Sequence, residues 1–235
     1  MDWFPPIYVM CNPHYEPERF KFLVRHFEER GIPSNKIQYV YGPWGTEITS
    51  ELYTKLTSPY THKFGLEKIL SFKSHCMSKG ELSLCITFHK IIEACVKGNS
   101  DTILVFESDV VLRPDFIERL KEVLELSKQK EMNEWDYISL SEGVGTRPPG
   151  HPLTYFCKTS LHKPPHQWVF RCCDSMLLRK KFMEKLLYTF FPVRDCLDWE
   201  LNLQMLAHKG ISLWADPPLV EAGTNRNRVL TNLPA

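Results

Sequence analysis

Apolar positions recur along this chain with two different periods, and the alternation between them predicts a layered α/β fold. Ile7-Tyr-Val-Met10 is a short apolar run that predicts a first central strand, broken by Asn12-Pro13-His14. Phe20, Leu23, Val24 and Phe27 then fall at i, i+3, i+4 and i+7, an amphipathic helix over residues 16–30 stopped by Gly31 and Pro33. Ile37 to Tyr41 predicts the second strand, ended by Gly42-Pro43. Strand, helix and strand with short connections open a parallel sheet of the nucleotide-binding type.

Residues 43–78 are polar and irregular in pattern. From Lys79-Gly80-Glu81 a clearer helix begins, with Leu84, Phe88, Ile91, Ile92 and Cys95 on one face. It leads into Ile103-Leu-Val-Phe106, an uninterrupted β-branched and aromatic run that predicts a strand buried on both faces. Pro114 suits the first turn of a further helix, whose apolar face is Phe116, Leu120, Val123 and Leu124. Tyr137 to Leu140 predicts another strand. The glycine- and proline-rich stretch 141–165 predicts a long loop with an extra hairpin around Leu153 to Phe156, and loops of this length usually carry function. Trp168 to Phe170 predicts a strand, 179–190 and 198–208 predict helices, and Ile211 to Trp214 a last strand before Asp216-Pro-Pro218. No linker divides the pattern, so one domain over 1–235 is expected.

Composition narrows the function classes. Hydrophobic content of 43% with 24% charged residues is that of a globular chain able to bury a core. A net charge of +1 gives no case for nucleic acid or an acidic membrane surface. No apolar run approaches the ~20 residues of a membrane span, and Met1-Asp-Trp-Phe-Pro-Pro lacks a basic, apolar leader, so a cytoplasmic setting is expected. The eight cysteines contain no Cys-x-x-Cys pair, and Cys85 and Cys95 fall on apolar helical faces, which predicts reduced thiols and no zinc site. His151, His162 and His166 are spaced too irregularly to predict a metal site.

The chemistry concentrates where the 103–106 strand ends. Glu107-Ser108-Asp109 puts two carboxylates at the mouth of a core, where ionised acids lose hydration. A divalent cation offsets that cost, and hard oxygen ligands suit Mn²⁺ or Mg²⁺. Ligands of open α/β sheets sit outside the carboxyl ends of the strands, which is where Glu107 and Asp109 fall. The plain alternative is a surface turn with solvated acids.

Several motifs in order resemble glycosyltransferase family 25, the lipooligosaccharide and collagen sugar transferases. They are Lys79-Gly80-Glu81-Leu82-Ser83, Thr87-Phe88-His89, Phe106-Glu107-Ser108-Asp109-Val110 and Pro114-Asp115-Phe116. Glu16-Pro-Glu-Arg19 and Ser175-Met-Leu-Leu178-Arg-Lys resemble further segments of it. Two positions depart from the family pattern: Ser108 stands for the first Asp of Asp-Asp, and Thr87 for a Ser.

The resemblance implies a GT-A, Rossmann-like fold with a mostly parallel sheet, split into a nucleotide-binding half (1–110) and an acceptor half (111–235). It implies a nucleotide-diphospho-sugar donor, UDP by family habit, and inversion onto a hydroxyl of a glycan or glycoprotein acceptor. Glu107, Asp109 and Glu221 are the expected metal ligands, with Asn12, Arg19, Tyr41, Lys79 and Ser108 on the nucleotide. Asp198, in Leu197-Asp198-Trp199-Glu200, is the expected base, with Glu200 and Asp195 in reserve; the residue also suits a helix N-cap. Asn225 to Arg228 reads as a tail. The rival classes are a non-catalytic nucleotide-sugar-binding module and a metal-dependent hydrolase.

Overall fold

A computed structural model of the chain describes residues 3–58, 77–141, 158–164 and 172–222. β1 (Ile7–Met10) pairs in parallel with both β2 (Ile37–Val40) and β3 (Thr102–Glu107). β5 (Tyr137–Ser139), β6 (Ser160–His162), β7 (Ser175–Arg179) and β8 (Ser212–Asp216) complete one sheet of order β2-β1-β3-β7-β5-β8-β6. Within it β7 and β6 run against the other five strands. A separate antiparallel ribbon joins β4 (Val110–Leu112) to β9 (Val220–Ala222).

Helices cover both faces. α1 (Pro17–Glu29) and α4 (Phe116–Leu126) pack on one, through Leu23, Phe27, Leu120 and Val123. α3 (Lys79–Lys97), α5 (Lys180–Thr189) and α6 (Leu197–Ala207) pack on the other, through Phe88, Ile91, Leu186 and Leu201. β3 explains the uninterrupted apolar run: Ile103 and Val105 face α3, while Leu104 and Phe106 face α1 and α4. Each such fully buried side chain contributes about 1.5–3 kcal/mol. Local chemistry sets the helix ends. Pro17 opens α1, and Gly31, at φ +70°, closes it in a conformation that side chains resist. Ser78 and Glu81 form a reciprocal capping box on α3.

The structure corrects several expectations. The irregular 43–78 region contains a 3₁₀ turn (Gly45–Glu47) and α2 (Ser50–Leu56), capped by Thr49. On α3 the buried stripe runs through Leu82, Cys85 and Phe88, and Leu84 is only partly covered. Pro114 precedes α4, which starts at Phe116. β4, β6 and β9 are three residues each, too short to show a period, and β7 is an apolar run between charged neighbours. Residue 179 ends that strand and does not start a helix. The expected hairpin at 153–156, the strand at 168–170 and the 225–228 tail lie outside the described residues.

Candidate active site

The carboxyl ends of β1, β2 and β3 border a cavity of about 280 Å³, lined among others by Asn12, Glu16, Arg19, Tyr41, Ser108 and Asp109. Glu16, which the sequence reading left out of the site, ties its floor together. Its Oε1 accepts from Arg19 Nη1 at 3.1 Å and from Ser108 Oγ at 2.8 Å, and its Oε2 accepts from the Asn12 peptide at 3.2 Å. Arg19 also donates to Ser108 Oγ at 3.1 Å. The start of α1 is thereby bonded to the turn after β3.

The far wall is the segment after β2, fastened to α3. The Gly42 peptide donates to Thr87 Oγ1 at 2.8 Å, and Ser83 Oγ donates to the Pro43 carbonyl at 2.6 Å. A Cβ on Gly42 would stand 3.1 Å from that Thr87 oxygen, a tighter contact than such carbons ordinarily make, so glycine lets the segment lie close to α3. Tyr41 stands at the rim, 40% exposed and edge-on to His14. Lys79 is exposed at the first residue of α3 and lines a neighbouring hollow with Trp44 and Gly80, not this cavity. His89 packs on Phe191, with ring centres 4.9 Å apart.

Behind the cavity lies a group of acids. Ser175 of β7 sits opposite Phe106 of β3, and the Glu107 peptide donates to the Asp174 carbonyl at 2.9 Å. Residues opposed across an antiparallel pair point to the same face, so Glu107 and Asp174 both leave the sheet on the side of α3 and α6. Burial, then the charges of Asp109, Asp174 and Asp198, push the Glu107 carboxyl well above its usual range. Burial, opposed by the Ser141 hydrogen bond and reinforced by Asp109, pushes Asp174 up to about 7. Asp174 Oδ1 accepts from Ser141 Oγ at 2.6 Å and from the Ser175 peptide at 3.0 Å, while Oδ2 is buried without a hydrogen-bond partner. Sequence reading missed Asp174; the available signal was an acid heading an apolar run, the mirror of Glu107 at the end of one.

Asp198 approaches the same group from the first turn of α6. It does not cap the helix: Cys196 holds the N-cap position and Asp198 is the second helical residue. Its Oδ1 accepts from the Trp199 peptide at 2.9 Å and from Cys196 Sγ at 3.0 Å. The reserve residues are otherwise engaged. Glu200 is fully buried, bonded by the Arg194 peptide, the Arg194 guanidinium and Gln204, and Asp195 Oδ1 accepts from the Cys196 peptide. Glu221 lies on β9 opposite Val111, beside the chain that leaves Asp109, and does not line the cavity.

Glu107 and Asp109 offer hard oxygen donors for a divalent cation, and Asp174, whose Oδ2 has no hydrogen-bond partner, lies within reach of the Asp109 charge. No cluster of three or more His, Cys, Asp or Glu forms a closed metal cage among the described residues. Two neighbouring carboxylates are the kind of oxygen donors that an Mg²⁺-like ion takes when its other ligands are phosphate or water. The six described cysteines are free thiols.

No family model matches the sequence, and no curated protein matches it. Solved structures do match. The crystal structure of S. aureus TarS 1–349 superposes with a TM-score of 0.50 at 11% identity, covering 94% of this chain and 60% of that one. The galactosyltransferase LgtC, in complex with donor and acceptor sugar analogs, gives 0.42 at 9% identity over 89% and 72% of the two chains. The fold is the GT-A glycosyltransferase type. This chain spans about 60% of the length of the TarS chain, and the likeness is one of fold. Within its GT-A sheet, the cavity and the acids occupy the carboxyl edge of β1–β3 and the amino end of β7. No helix among the described residues is long and apolar enough to cross a membrane.

Proposed function

We propose that the chain is a metal-dependent inverting glycosyltransferase resembling family 25. It would move a sugar from a nucleotide-diphospho-sugar, with UDP as the expected nucleotide, to a hydroxyl of a glycan or glycoprotein. One observation carries this reading: Glu107 and Asp109 end a core strand beside the cavity while Asp198 reaches the same acids from α6.

The nucleotide lies in the cavity, against the Asn12 and Arg19 side and under Tyr41. This places its diphosphate beside Glu107 and Asp109. Glu107 and Asp109 would hold Mn²⁺ or Mg²⁺, which would supply the positive charge that a departing diphosphate needs. The Arg19 charge acts on Glu107 and favours its ionised form. Asp198 takes the proton of the acceptor hydroxyl on the face opposite the leaving group, as inversion requires. Its Oδ1 is held by two donors, and Oδ2 makes no hydrogen bond to a described residue.

The test uses the purified chain with Mn²⁺ and a panel of nucleotide-sugars in thermal melts and turnover assays. The true donor raises the melting temperature progressively with its concentration. Asp198→Asn keeps that stabilisation and loses about 10²–10⁴-fold in turnover. A panel without any stabilising donor, or full turnover by Asp198→Asn, overturns the reading.

A further inference from the structure

We propose that Cys196 is a positioning residue for the base: its thiol proton holds Asp198 Oδ1 so that Oδ2 faces the acceptor hydroxyl. The inference rests on the transferase reading above.

Cys196 occupies the N-cap of α6, where Ser, Thr, Asn or Asp ordinarily accepts a hydrogen bond from the helix backbone. Its side chain makes no such bond. The thiol donates instead to Asp198 Oδ1 at 3.0 Å, and the Trp199 peptide donates to the same oxygen at 2.9 Å. Two donors converging on one oxygen fix the carboxylate plane and leave the other oxygen for a ligand. The thiol is itself fixed. Asp195 Oδ1 holds the Cys196 peptide at 2.8 Å, and buried Glu200 holds the peptide and guanidinium of Arg194 just upstream.

Burial and the Asp198 charge keep this thiol protonated, so it serves as a donor and not as a nucleophile. Among the described residues, the titratable groups that feel the Asp198 charge from the packed elements are Glu107 of β3, Cys172 and Cys173 before β7, and Cys85 of α3. All are acids or protonated thiols, and Cys196 is the one bonded to the carboxylate. A thiol in this place suits a base that must stay reactive: its hydrogen bond aims the carboxylate while stabilising the anion less than a hydroxyl would.

The experiment measures kcat, donor KM and the pH profile with UDP-sugar and Mn²⁺ for the wild type, Cys196→Ala and Cys196→Ser. Losing the donor destabilises the ionised carboxylate, so Cys196→Ala lowers kcat about 3–10-fold and moves the acid limb of its profile to higher pH, with KM within about twofold. Cys196→Ser restores most of kcat and returns the acid limb to the wild-type pH or below it. The isosteric pair Cys196→Thr and Cys196→Val repeats the comparison at constant volume should the alanine variant not fold. An unmoved acid limb in Cys196→Ala, or serine and threonine no better than alanine and valine, overturns the inference. Failure of the parent reading looks different: Asp198→Asn itself would then retain turnover.

Discussion

At the scale of single residues, the polar groups divide into those that build the frame and those left for chemistry. His26 belongs to the frame. Its Nε2 accepts from the Leu112 peptide at 2.8 Å, joining α1 to β4, and burial, then the Arg30 charge, lower its pKa to about 4. The folded state therefore resists a proton that the unfolded chain takes up below about 6.5. Stability is complete above that pH and falls on acidification toward 4, by on the order of 3 kcal/mol. Urea melts at stepped pH should show this slope in the wild type and its loss in His26→Phe. Arg194 is the second case. Its removal leaves Glu200 charged and fully buried, so Arg194→Ala should cost about 3–5 kcal/mol in a urea melt and loosen the start of α6. The site itself was partly legible in the sequence. Glu107 and Asp109 showed because carboxylates closing an apolar run contradict burial; Glu16 and Asp174 did not, since the side chains that tie them into the site lie 92 residues away at Ser108 and 33 away at Ser141. Only the folded chain brings such pairs together.

At the scale of elements, the cavity depends on how the segment after β2 is bound to α3. Thr87 Oγ1 accepts from the buried Gly42 peptide and donates to the Ser83 carbonyl of its own helix. Thr87→Val keeps the shape and strands that peptide, so it should cost about 1–3 kcal/mol in thermal or chemical melts and weaken donor binding through a displaced Tyr41. Thr87→Ser should behave as the wild type. The position needs a hydroxyl, and either residue supplies one. The amphipathic helices α1, α3 and α4 were readable because their period extends over many residues, and the buried strands β1 and β3 because each is an unbroken apolar run. The short strands β4, β6 and β9 were not. Their existence is decided by partners such as Val220 for Leu112 and Trp214 for His162, which local pattern does not contain.

At the scale of the molecule, one sheet separates two apolar layers, so damage to either should register in the same cooperative transition. Leu120 and Leu186 are fully buried on opposite sides. Leu120→Ala and Leu186→Ala should each cost about 2–5 kcal/mol, and the double variant should lose their sum within ~0.5 kcal/mol. Coincident circular-dichroism and fluorescence transitions in urea are the measurement; separate transitions would reveal independent folding units.

The same sheet has a consequence for synthesis of the protein. β3 is flanked on one side by β1, near residue 10, and on the other by β7, which begins at residue 175. During synthesis β1, β2 and β3 are therefore made well before β7, which leaves an apolar core strand bare along one edge in the interval. Closure arrives only when the reversed strand slots in. Fragments ending before that point should be sticky and short-lived, and crowding or a chaperone should matter most during that interval.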